Sequence, residues 1–201
     1  MKLSRKLGAG LILIATTAFC GPITYTFTGT ANGTLGLDQI VDAAFTVTVL
    51  ADTASIVSFG SGVRNVGTIT TIDISGFPLA TFTDVMDVAD NQSSEEIVFG
   101  DDTTDSALLL RVDPAFAGYD LAASYGPISL HGEDTVSASQ FQNIPTDQGL
   151  LTLTASEETF TALSAPEPAS TLLLLSGAGL LCFCIGAGGL RRRRMKRVTT
   201  N

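Results

Sequence analysis

Between residues 21 and 164 the chain alternates apolar and polar residues with a period of two, the pattern of strands that bury one face. Ile23 to Thr28 reads I-T-Y-T-F-T. Five further stretches alternate in the same way: Ala44 to Val49, Ile69 to Ile74, Leu79 to Thr83, Leu151 to Thr154 and Thr159 to Leu163. Glycine, asparagine, aspartate and proline separate these stretches, as is typical of turns. The pattern therefore predicts an all-β domain.

Three segments of this domain carry more specific predictions. The continuous apolar run from Ser106 to Val112 favours a central strand. The segment from Asp84 to Ala89 is compatible with a short turn of helix. The threonine-rich segment from Leu150 to Leu163 predicts a hairpin that leads directly into the segment after it.

Short strands separated by regular turn signals indicate how the domain is layered. About ten such strands predict an antiparallel two-layer sandwich or a jelly-roll-like fold. Packing between the layers is expected to bury a set of apolar residues: Phe27, Phe45, Val47, Ile69, Ile72, Phe82, Leu109, Leu151 and Phe160.

The first 20 residues have the composition of a secretory signal peptide. Lys2, Arg5 and Lys6 precede an apolar stretch from Leu7 to Ala18, which is too short for a stable membrane span. Small residues at the required spacing allow cleavage after Ala18 or after Cys20. The segment 1–20 is therefore expected to export the domain 21–164.

A second targeting element is predicted at residues 165–194. Pro166, Glu167 and Pro168 favour an extended backbone, because each proline fixes φ and restricts the residue before it. Residues 169–190 carry no charge, and 22 helical residues span about 33 Å, enough to cross a hydrocarbon core of about 30 Å. A cationic cluster then follows, which predicts a cytoplasmic tail at 195–201: Arg191, Arg192, Arg193 and Arg194.

Charge separates the exported domain from the two ends. Residues 21–164 contain nineteen acidic residues and only two arginines, a net charge of −17. A domain this acidic repels nucleic acid and anionic lipid, so no nucleic-acid partner is expected. All three cysteines lie in the two end segments, which excludes disulfides within the domain. The acid excess is consistent with a solvated extracellular surface or with binding of divalent cations.

The residue types needed for catalysis are sparse, so we expect no enzymatic activity and no cofactor. His131 is the only histidine, without a nucleophile elbow or further zinc ligands, and is interpreted as a loop histidine. The carboxylate pairs lie in polar stretches where exposed acids are ordinary: Glu95-Glu96, Asp101-Asp102, Glu133-Asp134 and Glu157-Glu158. Asp101, Asp102 and Asp105 form the best candidate for a calcium site, although their spacing matches no standard calcium loop.

The order of Pro166-Glu167-Pro168, an uncharged span and an arginine cluster resembles the PEP-CTERM sorting signal over roughly 30 residues. The resemblance implies export by the Sec machinery, a brief stay in the inner membrane with the C-terminus cytoplasmic, and processing by exosortase, a membrane-embedded transpeptidase-like cysteine enzyme. It also implies a Gram-negative, exopolysaccharide-producing host. By this resemblance, the seven motif residues are recognition elements for another enzyme: Pro166, Glu167, Pro168, Arg191, Arg192, Arg193 and Arg194.

The function expected from the sequence is a structural or adhesive role at the cell surface, in exopolysaccharide or in a biofilm matrix. Exosortase, the Sec machinery, the membrane and exopolysaccharide are the expected partners. The alternative is a glycan- or calcium-binding, lectin-like module on the same tail.

Overall fold

The structure, a computed structural model, describes residues 21–102, 106–130 and 141–165. Eleven strands account for most of them: β1 (Pro22–Leu35), β2 (Asp38–Asp52), β3 (Val57–Phe59), β4 (Gly62–Ile74), β5 (Ala80–Thr81), β6 (Met86–Asn91), β7 (Glu96–Asp101), β8 (Ser106–Val112), β9 (Tyr125–Leu130), β10 (Phe141–Thr146) and β11 (Gly149–Ser164). Two short 3-10 turns, Thr53–Ser55 and Pro114–Phe116, complete the regular structure of these ranges. All strand pairings are antiparallel. The prediction of an all-β, antiparallel domain is confirmed.

The strands form one continuous sheet in the order β10-β11-β1-β2-β4-β6-β7-β8, with β3 and β5 beside β4 and β9 beside β11. The long strand β4 joins two halves. Its first residues pair with β3 and β6, and its last residues pair with β2 and β5. Gly67 lies where the pairing changes, and a Cβ there would come within 2.7 Å of Val49 Cγ1 and 3.1 Å of the Met86 carbonyl oxygen. A glycine is therefore required where β4 passes from one half to the other.

Aromatic side chains fill the space that the folded sheet encloses. Phe27 of β1 and Phe99 of β7 meet with their ring centroids 5.8 Å apart, and Phe160 of β11 lies 5.1 Å from Phe27. Near β5, Phe82 forms a bridge with Thr146 of β10, which nearly closes the sheet on itself. Each fully buried phenylalanine is worth roughly 1.5–3 kcal/mol of burial free energy, so these rings hold the two halves together.

The predicted core is confirmed at eight of its nine positions, and Ile69 is the exception. Ile69 is 53% exposed, whereas Thr70, Ile72 and Ile74 of the same strand are buried. The strand therefore turns its even-numbered residues inward, and Ile69 lies outside opposite Leu50 of β2. Alternation alone cannot assign the faces of I-T-T-I, because both parities contain an apolar residue and a threonine.

Three local predictions were wrong. The segment from Leu150 to Leu163 is not a hairpin, because it lies within the single strand β11, which pairs with β1 along nearly its whole length. Asp84 to Ala89 does not form a helical turn, because Met86–Asn91 is strand β6 between β4 and β7. Ser106–Val112 is a strand as expected, but it pairs only with β7 among the described strands and ends the path instead of occupying its centre.

The outer surface of β11, β1, β2 and β4 carries rows of threonine, and we call it the threonine face. Cross-strand register places Thr161, Thr26, Thr48, Thr71 and Thr81 in one row, with Thr159, Thr28 and Thr46 in the next. All eight side chains are half-buried. Threonine suits this position because its branched Cβ favours the strand and its hydroxyl pairs with neighbouring threonines.

The two ends of the domain lie side by side. Ile23 pairs with Ser164, and the Ala165 amide donates to the Pro22 carbonyl oxygen at 2.9 Å. The predicted signal peptide, the PEP residues, the uncharged span and the arginine cluster all lie outside the described residues. Within the described ranges, no helix has the length and apolar character needed to cross a membrane.

Candidate functional site

The recognition residues predicted from the sequence, Pro166 to Pro168 and Arg191 to Arg194, lie outside the described part of the chain. The described structure ends one residue before Pro166, at Ala165, which is anchored to Pro22. His131, Glu133 and Asp134 also lie outside the described ranges. The described polar side chains of the folded domain form two clusters, one on its surface and one inside.

The predicted calcium ligands are only partly visible. Asp101 is the last residue of β7 and is buried, while Asp102 forms an ion pair with Arg64. Asp105 lies outside the described residues. Among the side chains that are described, no group of three acidic, histidine or cysteine residues is arranged to hold a metal ion.

A groove of about 420 Å³ lies on the outer face of β4, β6, β7 and β8, and we call it the polar groove. Backbone register builds it from three rows across the strands: Asn91 and Glu96; Arg64, Ala89 and Val98; and Asp87, Gly100 and Ala107. The small residues of these rows leave room at the centre of the sheet. Asp101 and the ring of Phe59, from β3, also line the groove.

The charges of the polar groove are centred on Arg64. Its Nε atom lies 3.7 Å from Asp87 Oδ2, and its Nη1 atom pairs with Asp102. At the other end of the groove, Glu96 accepts a hydrogen bond from Ser94 Oγ at 2.7 Å. Phe59 remains 44% exposed beside these polar groups. The groove thus combines hydrogen-bond donors, acceptors and an accessible aromatic face, a combination found in sites for polar organic ligands.

A second polar cluster lies inside the domain and contains all three tyrosines of the chain: Tyr25, Tyr119 and Tyr125. The Tyr25 hydroxyl donates to the Leu121 carbonyl oxygen at 2.7 Å and accepts from Asn65 Nδ2 at 2.8 Å. Tyr119 and Tyr125 stack with their centroids 4.4 Å apart. Burial raises the pKa of Tyr25 to about 12, partly opposed by the hydrogen bond from Asn65, and burial also raises the pKa of Tyr119.

Asp90 of β6 adjoins this cluster and is 0% exposed. Neither of its carboxyl oxygens has a hydrogen-bond partner. Burial, followed by the negative charge of Asp120, raises the pKa of Asp90 to about 7. A buried polar group without a partner is uncommon in folded proteins and calls for an explanation.

The expectation that the carboxylate pairs are exposed was wrong for two members. Glu158, in β11, is only 1% exposed, and Asp101 is also buried. Glu158 has the same strand parity as the buried Phe160 and Ala162, and the bulge between its position and Ser156 switches the inward face of β11 from odd residues, such as Leu153, to even ones. The polar run Ser156-Glu157-Glu158-Thr159 gave no sign that Glu158 lies within a strand.

Sequence reasoning missed Asp90 and the tyrosine cluster. The signal was present in Met86-Asp87-Val88-Ala89-Asp90, where Asp90 has the same strand parity as Met86 and Val88. It was hidden because the segment was interpreted as helical. The loop that brings Tyr119 to Asp90 has no period from which its position could be derived.

Comparison of the chain with protein-family models, with curated proteins and with solved structures gave no match.

Proposed function

We propose that this chain is an exported protein of the cell surface or extracellular matrix, carried to its place by a PEP-CTERM-type sorting tail. The observation that carries the proposal is the order of Pro166-Glu167-Pro168, the uncharged residues 169–190 and Arg191 to Arg194. Sec machinery and exosortase are the proposed partners, and the role is structural or adhesive, with exopolysaccharide as the surrounding polymer. The chain itself is proposed to be no enzyme.

Two features of the folded domain support this assignment. Its β-structure and strong negative charge suit a soluble exported domain, since the charge opposes self-association. The first and last residues of the domain lie side by side, because the Ala165 amide donates a hydrogen bond to the Pro22 carbonyl oxygen. The PEP residues therefore follow directly on the last residue held by the folded domain, Ala165, which suits a processing signal joined to that domain without a long linker.

The proposal is tested by replacing Pro166, Glu167 and Pro168 with alanine in a host that contains exosortase. If the motif is recognised, the variant accumulates in the inner membrane with its tail attached, while the wild-type mature protein loses the residues beyond about Pro168. Mass spectrometry of the mature protein distinguishes these species. Alanine at Val198, Thr199 and Thr200 provides a matched control. A wild-type mature protein that retains Leu172 to Arg194 with or without exosortase contradicts the proposal.

The polar groove favours a second candidate function, the binding of glycans. Sugars present hydroxyl groups to carboxylates and guanidinium groups, and their C–H faces stack on aromatic rings. Glu96, Arg64 and Phe59 supply these groups around a space of about 420 Å³. A cavity of that size lies within the usual range for small-ligand sites, roughly 300–1,000 Å³. Calcium binding has less support, because the described side chains offer no group of three ligands.

Glycan binding is tested by titrating the full chain in detergent with neutral and acidic oligosaccharides on an array. Phe59→Ala and Glu96→Gln are expected to abolish binding of neutral sugars. Leu79→Ala and Asp73→Asn remove an exposed apolar group and an exposed carboxylate outside the groove, and both are expected to leave binding unchanged. Equal loss in all four variants, or no binding by the wild type, contradicts this second function while leaving the sorting proposal intact.

Within the all-β class, we propose that the domain is a two-layer sandwich. The contact between Phe27 and Phe99 across the core supports two facing layers. Along the main path of the sheet, neighbouring strands follow the order of the chain except where β11 lies beside β1. This order favours a sandwich of sequential strands over a jelly roll built from two Greek keys.

A further inference from the structure

We propose that Asp90 and the segment from Asp113 to Ser124 form a proton-controlled latch. When Asp90 is protonated, this cap segment stays closed over the aromatic core, and when Asp90 loses its proton the cap segment is released. The latch is independent of the proposed sorting tail, since it involves only residues of the folded domain.

No residue of the cap segment belongs to a strand. It inserts Phe116, Tyr119 and Leu121 into the core, and all three are buried. Single hydrogen bonds tie it to its surroundings: Tyr25 donates to the Leu121 carbonyl oxygen, Gln92 Nε2 to the Tyr119 carbonyl oxygen, the Tyr125 hydroxyl to the Ala115 carbonyl oxygen and the Asp113 amide to the Glu95 carbonyl oxygen, while Ser124 Oγ accepts from the Ser164 amide. Segments outside the strand pairing open at a lower free energy than the whole domain. The cap segment is therefore able to move while the sheet remains folded.

Backbone strain also favours release. Leu121 has a φ of 61°, in the left-handed region, where a leucine is unfavourable. The bond from Tyr25 and the burial of the Leu121 side chain keep it in this conformation. Residues held in such regions cost on the order of 1–3 kcal/mol and persist only while their surroundings enforce them. Any loss of contact between the cap segment and the core therefore also relieves this backbone strain, which favours release further.

Ionisation of Asp90 is the event that would weaken the contact between the cap segment and the core. The groups that act on it from the cap segment are the Asp120 carboxylate and the Tyr119 ring, and the Tyr25 hydroxyl lies in the same cluster on β1. Tyr125 of β9 stacks on Tyr119. In the sheet, Asp90 lies opposite Val63 of β4 and Ile97 of β7, and Arg111 of β8 lies opposite Ile97.

An ionised Asp90 at this position would be a fully buried charge with no hydrogen bond from the described part of the chain and with a second carboxylate nearby. Such a charge is strongly unfavourable. It is relieved either by a proton or by movement of the cap segment that admits water. Burial and Asp120 raise the pKa of Asp90 to about 7. Asp90 is therefore protonated in acid, and above neutrality the cap segment moves instead.

Release uncovers an aromatic surface. Phe116 and Tyr119 lie 5.7 Å and 6.1 Å from Phe160, measured between ring centroids, and both would leave that contact. The domain would then present apolar surface at neutral and alkaline pH and conceal it in acid. This gives an exported domain a response to the pH of its surroundings.

The chain carries its own reporter for the test. Its three tyrosines all belong to the cluster, and it has no tryptophan. Tyrosine fluorescence and near-ultraviolet circular dichroism of the full chain in detergent are recorded from pH 5 to pH 9. Tyr25 and Tyr119, with raised pKa values, do not ionise in this range. We expect a sigmoidal transition near pH 7, absent in Asp90→Asn and unchanged in the control Asp73→Asn, which removes an exposed carboxylate.

Asp120→Asn gives a second, independent arm, because it preserves the acceptor for the Ala122 amide while removing the charge. Its midpoint is expected to fall by roughly 0.5 pH unit or more. Hydrogen exchange, corrected for intrinsic rates, should show protection of residues 113–124 falling about tenfold or more above the midpoint, with β1 and β2 unaffected. The latch is overturned if the transition persists in Asp90→Asn, or if its midpoint is the same in Asp120→Asn as in the wild type. It is also overturned if β1 loses protection from exchange together with the cap segment.

Discussion

The threonine face and the polar groove are outer surfaces of the same continuous sheet, joined through β4. On the threonine face, the register aligns identical side chains. The second row continues from Thr46 to Asp73 of β4, which is the one acidic residue in the two rows. On the groove side, the same register aligns unlike residues, with Arg64 between Asp87 and Asp102 and with small residues at the centre. Uniform rows stabilise a sheet but distinguish no ligand, whereas the groove offers several chemically different groups within one small space.

The inner faces of the two halves differ as well. Behind the threonine face, β1 buries Ile23, Tyr25 and Phe27. Behind the groove, β6 buries Met86, Val88 and Asp90, so that a titratable group replaces the third apolar residue. Glu158 of β11 is buried behind the threonine face as well, but among the buried acidic residues that are described only Asp90 has both carboxyl oxygens without a hydrogen-bond partner. The pH response of the domain is therefore expected to arise behind the groove.

The largest expected effect tests whether the two halves are one cooperative unit. Phe99 contacts Phe27, Phe82 and Phe141, so Phe99→Ala should remove packing from both halves and destabilise the domain by about 3–5 kcal/mol. Chemical unfolding followed by circular dichroism measures this loss. Two separate transitions in the wild type would show that the halves unfold independently.

The next effect concerns pH. The pKa of Asp90 rises on folding from about 3.8 to about 7. The stability this carboxyl contributes is therefore fully present below about pH 4 and is lost as the pH rises through about 7. Relative to wild type, Asp90→Asn should gain on the order of 3 kcal/mol at pH 8 and little at pH 4. Denaturant unfolding at both pH values measures the gain, and an equal gain at both would contradict the assignment.

A smaller effect is expected at the centre of the groove. Arg64 is about one third exposed, so solvent screens its ion pairs, and Arg64→Met should cost roughly 1 kcal/mol or less. Raising the salt concentration should reduce this difference. Melting temperatures at low and high salt provide the measurement, and a loss that grows with salt would show that packing outweighs charge.

The smallest effect is expected on the threonine face. Thr48→Ala removes a β-branched side chain between Thr26 and Thr71 and should cost roughly 0.5 kcal/mol. Thr48→Val keeps the branch and should be nearly neutral. The melting temperatures of the two variants are compared. An equal loss in both variants would mean that the hydroxyl, which both lack, and not the strand preference stabilises the row.

How far the sequence predicted this fold depends on how regular each segment is. Ile23 to Thr28 and Ala44 to Val49 alternate cleanly, and both lie in strands with the expected residues buried. Ile69 was assigned to the wrong face, because its segment contains apolar residues at both parities. Asp84 to Ala89 was misinterpreted because its acids at both parities hide the strand alternation. The polar groove was not predicted, since its residues come from five strands and are brought together only by register.

Local chemistry along the chain was sufficient for the β-class of the domain, its negative charge and the expectation of a sorting tail. Each depends on composition or on a pattern within a few neighbouring residues. The pairing of β11 with β1, the groove around Arg64 and the burial of Asp90 near the tyrosine cluster depend on contacts between distant segments. Leu121 is 96 residues from the hydroxyl that holds it. Such contacts follow from strand order and register, which no local pattern encodes, because each strand could pair with several others at similar free energy.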